Sequence, residues 1–275
     1  MNFFIPQVYE IETEGQEPIY LSGTSEMAIA GYLSNRTYNL SELPLKLAAL
    51  SRCFRAETSH VEEERGIYRV HNFSKVEMFG VTGAERGTES EDLHEYFCQL
   101  QEKLFSQLGL HYRVLEMSPN ELGSPAYRKY DIEAWMPGRK QFGEISSCSN
   151  CTDYQSRRLN IRYKDDAKKL KFVHTLNGTA CAIPRMLIAI VESNQNEDGN
   201  VTLPPVLQKY MTSEWDSNPT RKDFRRFMKN RGHQEKVFLH YDPWRQWIYD
   251  IRSRPLDLHA KGSAPVRNIQ IDISV

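Results

Sequence analysis

Apolar positions along this chain follow two spacings. Between residues 89 and 108, Leu93, Phe97, Leu100 and Leu104 recur at intervals of four, three and four, which draws a single stripe along a helix. Thr88 and Glu91 have the spacing of a capping box at its start, and Gly109 suits its stop. A second helix fits 184–193, with Pro184 in the first turn, where a missing N–H costs nothing. The segments 51–57, 67–79, 111–117, 128–135, 142–149 and 170–177 read as strands. Strands that helices do not regularly separate predict an α+β fold, an antiparallel sheet flanked by helices. No internal repeat or low-complexity tract interrupts the pattern. The last clear element, LPPVLQKYM, ends at Met211. Beyond it come three of the four Trp and aromatics set among arginines, as in DFRRFMKNR and DPWRQWIYDIRSR. The expected division is a core over 1–211 and an unassigned basic-aromatic extension over 212–275.

Composition narrows the class. The chain has 275 residues, 40% apolar and 11% aromatic, enough to bury a core and unlike a disordered chain. Its 35 Lys and Arg nearly balance 36 Asp and Glu, so net charge gives no reason to expect a nucleic-acid or membrane-surface protein. The balance is uneven, because residues 211–275 carry 12 basic against 8 acidic residues. No window approaches the roughly 18 to 20 apolar residues of a membrane helix, so no membrane is expected as a partner. The N-terminal MNFFIPQVYEIETEGQEPIY has neither a signal-peptide pattern nor that of an Arg-rich presequence. Five Cys are too sparse for a disulfide scaffold. Cys148 and Cys151 have CxxC spacing, but a structural zinc takes four ligands and no second pair follows. Plain thiols are the preferred reading, and no zinc is expected.

The stretch CFRAETSHVEEERGIYRVHNFSKVEMF concentrates the candidate chemistry. It holds Arg55, Glu57, Arg65, Arg69, Phe73 and Glu77. If 69–77 is a strand, Arg69, Phe73 and Glu77 share one face, and Arg55 and Glu57 share another strand's face. Two readings stay open on the residues alone. Arginine forks with a ring suit a polyanion that carries a base, since guanidinium binds phosphate oxygens and phenylalanine stacks. The plainer alternative is a solvated hairpin with cross-strand ion pairs.

That stretch resembles motif 2 of the class II aminoacyl-tRNA synthetases, and RVHNFSKVEMF within it is most similar to the seryl-tRNA synthetases. Three further segments agree in order. LSGTSEMAIAGYL resembles the Thr-x-Glu loop of the serine pocket, FGEISSCSNCTDYQSRR the ATP and metal strand, and HTLNGTACAIPRMLIAIVESNQ motif 3. The wording of AYRKYDIEAWMPGR and ACAIPRMLIAIVESNQ is closest to animal mitochondrial forms.

The resemblance implies an ATP-dependent serine–tRNA ligase with an antiparallel class II catalytic sheet. Its partners would be L-serine, ATP and tRNA(Ser), with Mg²⁺ bridging phosphates. Arg55 and Arg185 take the catalytic positions. Arg55, Ala56, Glu57, Arg69, Phe73, Glu144, Ile145, Ser146, Ser147 and Arg185 take the ATP positions. In these, Arg55 meets the α-phosphate, Glu57 the adenine amino group, and Arg69 and Arg185 the γ-phosphate. Phe73 stacks on adenine, with Arg185 on the other face. Glu144 and Ser147 match the Mg²⁺ ligands. Thr24, Ser25, Glu26, Glu77 and Thr179 match the serine pocket, with Glu77 and Thr179 reading the hydroxyl. His71 reads as structural, His60 and Glu62, Glu63 and Glu64 as a solvated loop. Asn150, Arg157 and Arg158 receive no role.

Only about 20 residues precede the Thr-x-Glu loop, too few for the family's tRNA-gripping helical hairpin or for motif 1, which builds the dimer. The expectation is a partial core, with the family's homodimer doubtful. The implied compartment is the mitochondrial matrix, with the cytoplasm as alternative. The extension could bind RNA, form a small amphipathic subdomain or be fused unrelated sequence. A noncatalytic synthetase-like factor that binds RNA or a partner is the competing function, and a carrier-protein loader on the same fold a third.

Overall fold

Alternating side chains build the strands of this chain, and the two clearest helical stripes become the helices that cover them. The structure is a computed structural model and describes residues 8–12, 15, 17–57 and 66–210. The expected loop residues His60, Glu62, Glu63, Glu64 and Arg65, and the extension over 212–275, lie outside the described residues. In chain order the strands are β1 (Glu10–Ile11), β2 (Ile19–Tyr20), β3 (Thr37–Asn39), β4 (Leu45–Phe54), β5 (Asn72–Thr82) and β6 (Tyr112–Glu116). They continue with β7 (Arg128–Met136), β8 (Gln141–Asn150), β9 (Arg162–Lys164), β10 (Leu170–Phe172) and β11 (His174–Ala182). The helices are α1 (Ser25–Leu33), α2 (Glu89–Gln107), α3 (Tyr154–Leu159), α4 (Ile183–Ser193) and α5 (Pro205–Gln208).

The central sheet has six strands in the order β4-β5-β11-β8-β7-β6, every pair antiparallel. The α+β expectation is met. A small sheet β10-β9-β3 and the pair β1-β2 lie apart from it. One face of the central sheet carries the packing. Met78, Leu176 and Cys148 meet Leu93, Phe97 and Cys98 of α2. Further along, Ile132, Ala134 and Met136 meet Phe105 of α2 and Met186, Ala189 and Ile190 of α4. The contact at β5 is close: a Cβ on Gly80 would stand 2.6 Å from Leu93 Cδ2 and 3.2 Å from Phe97 Cζ. On the opposite face, α1 covers Phe79 and Val81 together with Tyr163. The rest of that face, where Phe73, Lys75 and Glu77 project by period-two alternation, is left for the site.

Several boundaries differ from expectation for local reasons. The first strand runs 45–54 rather than 51–57, so Arg55 and Glu57 follow its end and do not share a strand face. β5 begins at Asn72, and Arg69 sits in the turn after Gly66, whose φ of +78° reverses the chain. The stretch 170–177 breaks at Val173 into β10 and β11, which join different sheets. The helix 89–108 is present, but Thr88 makes no capping bond, because its backbone is already helical at φ −110°, ψ −10°. Glu89 instead accepts from the amides of Glu85 and Arg86, both at 2.8 Å. Gly109 ends α2 at φ +67° as expected, and Pro184 sits in the first turn of α4.

Candidate active site

β5 is the spine of the site. Its neighbour β4 places Cys53, Ser51 and Ala49 beside Phe73, Lys75 and Glu77. On its other side β11 sets Thr179 beside Glu77 and Ala182 beside Lys75. β8 and β11 pair only through Leu176–Asn150, Asn177–Ser149 and Gly178–Cys148. Past that point β11 bulges between Thr179 and Cys181, and β8 bulges against β7 near Ile145. The strands part there, and a pocket of about 190 Å³ opens. Arg55, Glu57, Arg69, Phe73, Glu144, Ile145, Ser146, Ser147, Thr179 and Arg185 line it. It thus gathers ten of the expected residues from five stretches of chain.

The acidic floor lies beneath. Glu77 is 2% exposed and forms a close ion pair with Lys75, itself buried. Thr24 caps α1, its Oγ1 accepting from the Glu26 amide at 3.3 Å while donating to Glu77 Oε2 at 3.0 Å. Burial holds the Glu77 carboxyl above its usual range, opposed by the Lys75 ammonium and the Thr24 hydroxyl. Glu26 accepts from Gln155 at 2.6 Å and Asn177 at 2.9 Å, which fixes its carboxylate. Ser25 is turned away, buried against Ser51 at 2.5 Å. Of the five residues expected to read serine, only Thr179 lines the pocket itself; Thr24, Ser25, Glu26 and Glu77 lie behind its lining. Ala56 contributes a tight bend, as the Glu57 amide donates to the Arg55 carbonyl at 2.9 Å.

The walls are cationic, with carboxylates in attendance. Arg69 pairs with Glu57 at 2.9 Å. Arg185 donates to the Glu144 carboxylate and carbonyl, both at 3.0 Å, and to the Tyr68 carbonyl at 3.1 Å. The Arg185 guanidinium lies 4.4 Å from the Tyr68 ring centroid, while that of Arg55 lies 5.2 Å from the Phe73 ring. The Arg55 amide donates to the His71 carbonyl at 2.9 Å, and the Arg55 carbonyl lies 3.1 Å from His71 Nδ1. His71 braces the arginine's backbone. Ser146 points through the sheet to its packed face and donates to the Thr179 carbonyl.

Lys75 and Tyr68 line the pocket without having been singled out in the sequence. A signal for Lys75 existed: it falls midway between Phe73 and Glu77 on the same alternating face. Tyr68 lies in the turn before β5, where no periodicity applies. The oxygen donors Glu144 and Ser147 fit a hard cation such as Mg²⁺, which takes one or two protein oxygens beside phosphates. Among the described residues no group of three His, Cys, Asp or Glu could hold a metal. Cys148 and Cys151 are buried thiols. The hydrogen bond to Cys98, with burial, pushes Cys148 up, and burial pushes Cys151 up to about 12. No helix among the described residues is long and apolar enough to cross a membrane.

Comparison with known proteins places this geometry. The chain is 51% identical over 214 residues to a serine–tRNA ligase, mitochondrial, of Bos taurus, covering 78% of this chain and 41% of that protein. It is 48% identical over 206 residues to a serine–tRNA ligase of Dictyoglomus thermophilum, covering 74% and 47%. The crystal structure of seryl-tRNA synthetase from Pyrococcus horikoshii complexed with ATP is similar with a TM-score of 0.69 and 44% identity, covering 74% of this chain and 45% of that one. The chain therefore spans less than half the length of these relatives. The family model for the tRNA synthetase class II core domain (G, H, P, S and T) matches residues 9–194, and the chain belongs to that family.

Proposed function

We propose that this chain activates L-serine with ATP and passes the seryl group to tRNA(Ser). The observation that carries the reading is the buried Glu77, fixed by Thr24 and set beside Lys75 and Thr179, which line a pocket walled by Arg55, Arg69 and Arg185. A substrate hydroxyl is best read by buried polar groups that an analogue without it would leave unpaired. The serine carboxylate attacks the α-phosphorus; that O–P bond forms as the bond to the bridging oxygen breaks and pyrophosphate leaves. A 3′-terminal ribose hydroxyl of tRNA then attacks the seryl carbonyl carbon, losing its proton as AMP departs. Neither step needs a protein nucleophile, so positioning and charge neutralisation are the chain's contributions. Arg55 serves the α-phosphate and Phe73 the adenine ring. Glu144 and Ser147 would hold Mg²⁺, which neutralises phosphate charge when bound.

The paired walls add a mechanism. Arg69 and Arg185 hold Glu57 and Glu144 as internal anions. A triphosphate would take over both arginines, releasing Glu57 toward the adenine amino group and Glu144 toward the cation. The domain reading places the core over 1–211 and leaves 212–275 as a separate extension. Similarity to mitochondrial relatives supports the mitochondrial matrix as the compartment, with the cytoplasm as alternative. The test is serine-dependent ATP–pyrophosphate exchange by the 275-residue chain, with alanine and threonine as controls. Exchange specific to serine is expected. A folded chain that exchanges with alanine as well as with serine would refute the reading.

A further inference from the structure

The inward side of α2 is apolar at Leu93, Phe97, Cys98 and Phe105, yet Gln101 sits among them with none of its surface exposed. Its amide is spent on one place. Nε2 lies 2.8 Å from Ser146 Oγ, 2.9 Å from the Ser147 carbonyl and 2.9 Å from the Thr179 carbonyl. The Ser147 and Thr179 carbonyls lie one step, and Ser146 two steps, beyond Gly178–Cys148, the last residue pair that β8 and β11 share. They are therefore the first for which the sheet itself supplies no partner between these strands. Ser146 Oγ closes the arrangement by donating to the Thr179 carbonyl. Gln101 Oε1 has no hydrogen-bond partner among the described residues. The fold thus leaves a buried acceptor unpaired while the donors of that amide hold the fork.

We propose that Gln101 is a positioning residue: from the packed side of the sheet it staples the fork of β8 and β11 and so fixes Thr179 and Ser147 on the site side. Its bearing on serine rests on the function proposed above. Without the staple the two strands can widen or close by small amounts. Thr179 would then lose its fixed relation to Glu77, across which it is paired on β5. Hydroxyl reading depends on that relation more than phosphate binding does, because the arginines are carried on other elements.

The test uses the full chain, Gln101→Met, which keeps size but removes both donors, and Ser146→Ala, which removes the two bonds made by the serine hydroxyl but leaves the Gln101 bonds to the Ser147 and Thr179 carbonyls. Hydrogen–deuterium exchange is followed across 144–148 and 178–182, with β4 and the first half of β5 as internal reference. Pyrophosphate exchange gives KM for serine and for ATP and the serine-to-alanine ratio. The expected result for Gln101→Met is faster deuterium uptake at the fork alone, with a smaller effect in Ser146→Ala. Serine KM should rise about tenfold, the ratio should fall by a similar factor, and ATP KM should change much less. Unchanged uptake at the fork in both variants overturns the staple. Faster uptake with an unchanged serine-to-alanine ratio overturns the positioning role. If wild type exchanges without preference for serine, the proposed function fails instead, and deuterium uptake still decides the staple.

Discussion

Replacing Lys75 with Met isolates the charge balance beneath the pocket. The substitution keeps the side chain's length and removes the ammonium from a pair whose side chains are 8% and 2% exposed. Deleting one partner of a buried pair leaves the other uncompensated, which typically costs about 3–5 kcal/mol. Glu77 can limit that cost by taking a proton. From an ordinary glutamate value near 4.3, holding the acid neutral at pH 7 costs at most about 1.36 × 2.7, or about 3.7 kcal/mol. Burial already holds the wild-type Glu77 above its usual range, so the difference between variant and wild type is smaller than this ceiling. The sign is fixed by the direction of the shift. A carboxyl raised further on folding lowers stability above its unfolded value, and the loss grows until pH passes the folded value. The variant's deficit should therefore be smallest at and below the wild-type folded value and widen by up to about 1.4 kcal/mol per unit above it. Urea unfolding of both proteins between about pH 5 and pH 8 measures it, with Lys75→Met/Glu77→Gln as control, in which the pH-dependent part should vanish. A deficit independent of pH, or a pH-dependent one that persists in the double variant, would refute the claim that the Lys75 ammonium opposes the effect of burial on Glu77.

Other substitutions separate the remaining roles. Arg55→Ala should lower serine-dependent pyrophosphate exchange by about 10²-fold or more, and near-normal exchange would remove Arg55 from the chemistry. Glu77→Ala should collapse discrimination between serine and alanine, with ATP KM little changed; a preserved serine-to-alanine ratio in the kinetic assay would take Glu77 out of the pocket. Gly80→Ala should cost about 1–3 kcal/mol in denaturant unfolding, because its Cβ would stand 2.6 Å from Leu93 Cδ2 in a packed layer. A neutral result there would mean that α2 can shift outward without loss.

What was legible in the sequence follows from which forces act locally. α2 and α4 were readable because one stripe faces one sheet and Gly109 and Pro184 mark their limits by backbone chemistry. α1, SEMAIAGYL, has small and apolar residues around its circumference, so no stripe announced it. Even spacing to Phe73 predicts a strand at Arg69, but the turn after Gly66 delivers it to the pocket by another route. The gathering of Arg55, Glu57, Arg69, Phe73, Glu144 and Arg185 was legible through resemblance to a family, and spacing alone left a solvated hairpin open. Lys75 is marked by alternation alone, and that spacing does not say that it pairs with Glu77. Gln101 lies on the apolar side of α2 with partners from across the sheet, and such tertiary pairing leaves no mark on local periodicity.

β5 has a further consequence. Its odd-numbered residues Phe73, Lys75 and Glu77 meet the pocket side, while Met78 and Gly80 meet α2. The Lys75–Glu77 pair serves folding as well as the site, so what the protein binds and whether it folds are written into the same letters of one short word. A strand of this kind changes its chemistry only where a second step restores the charge balance that the first one breaks.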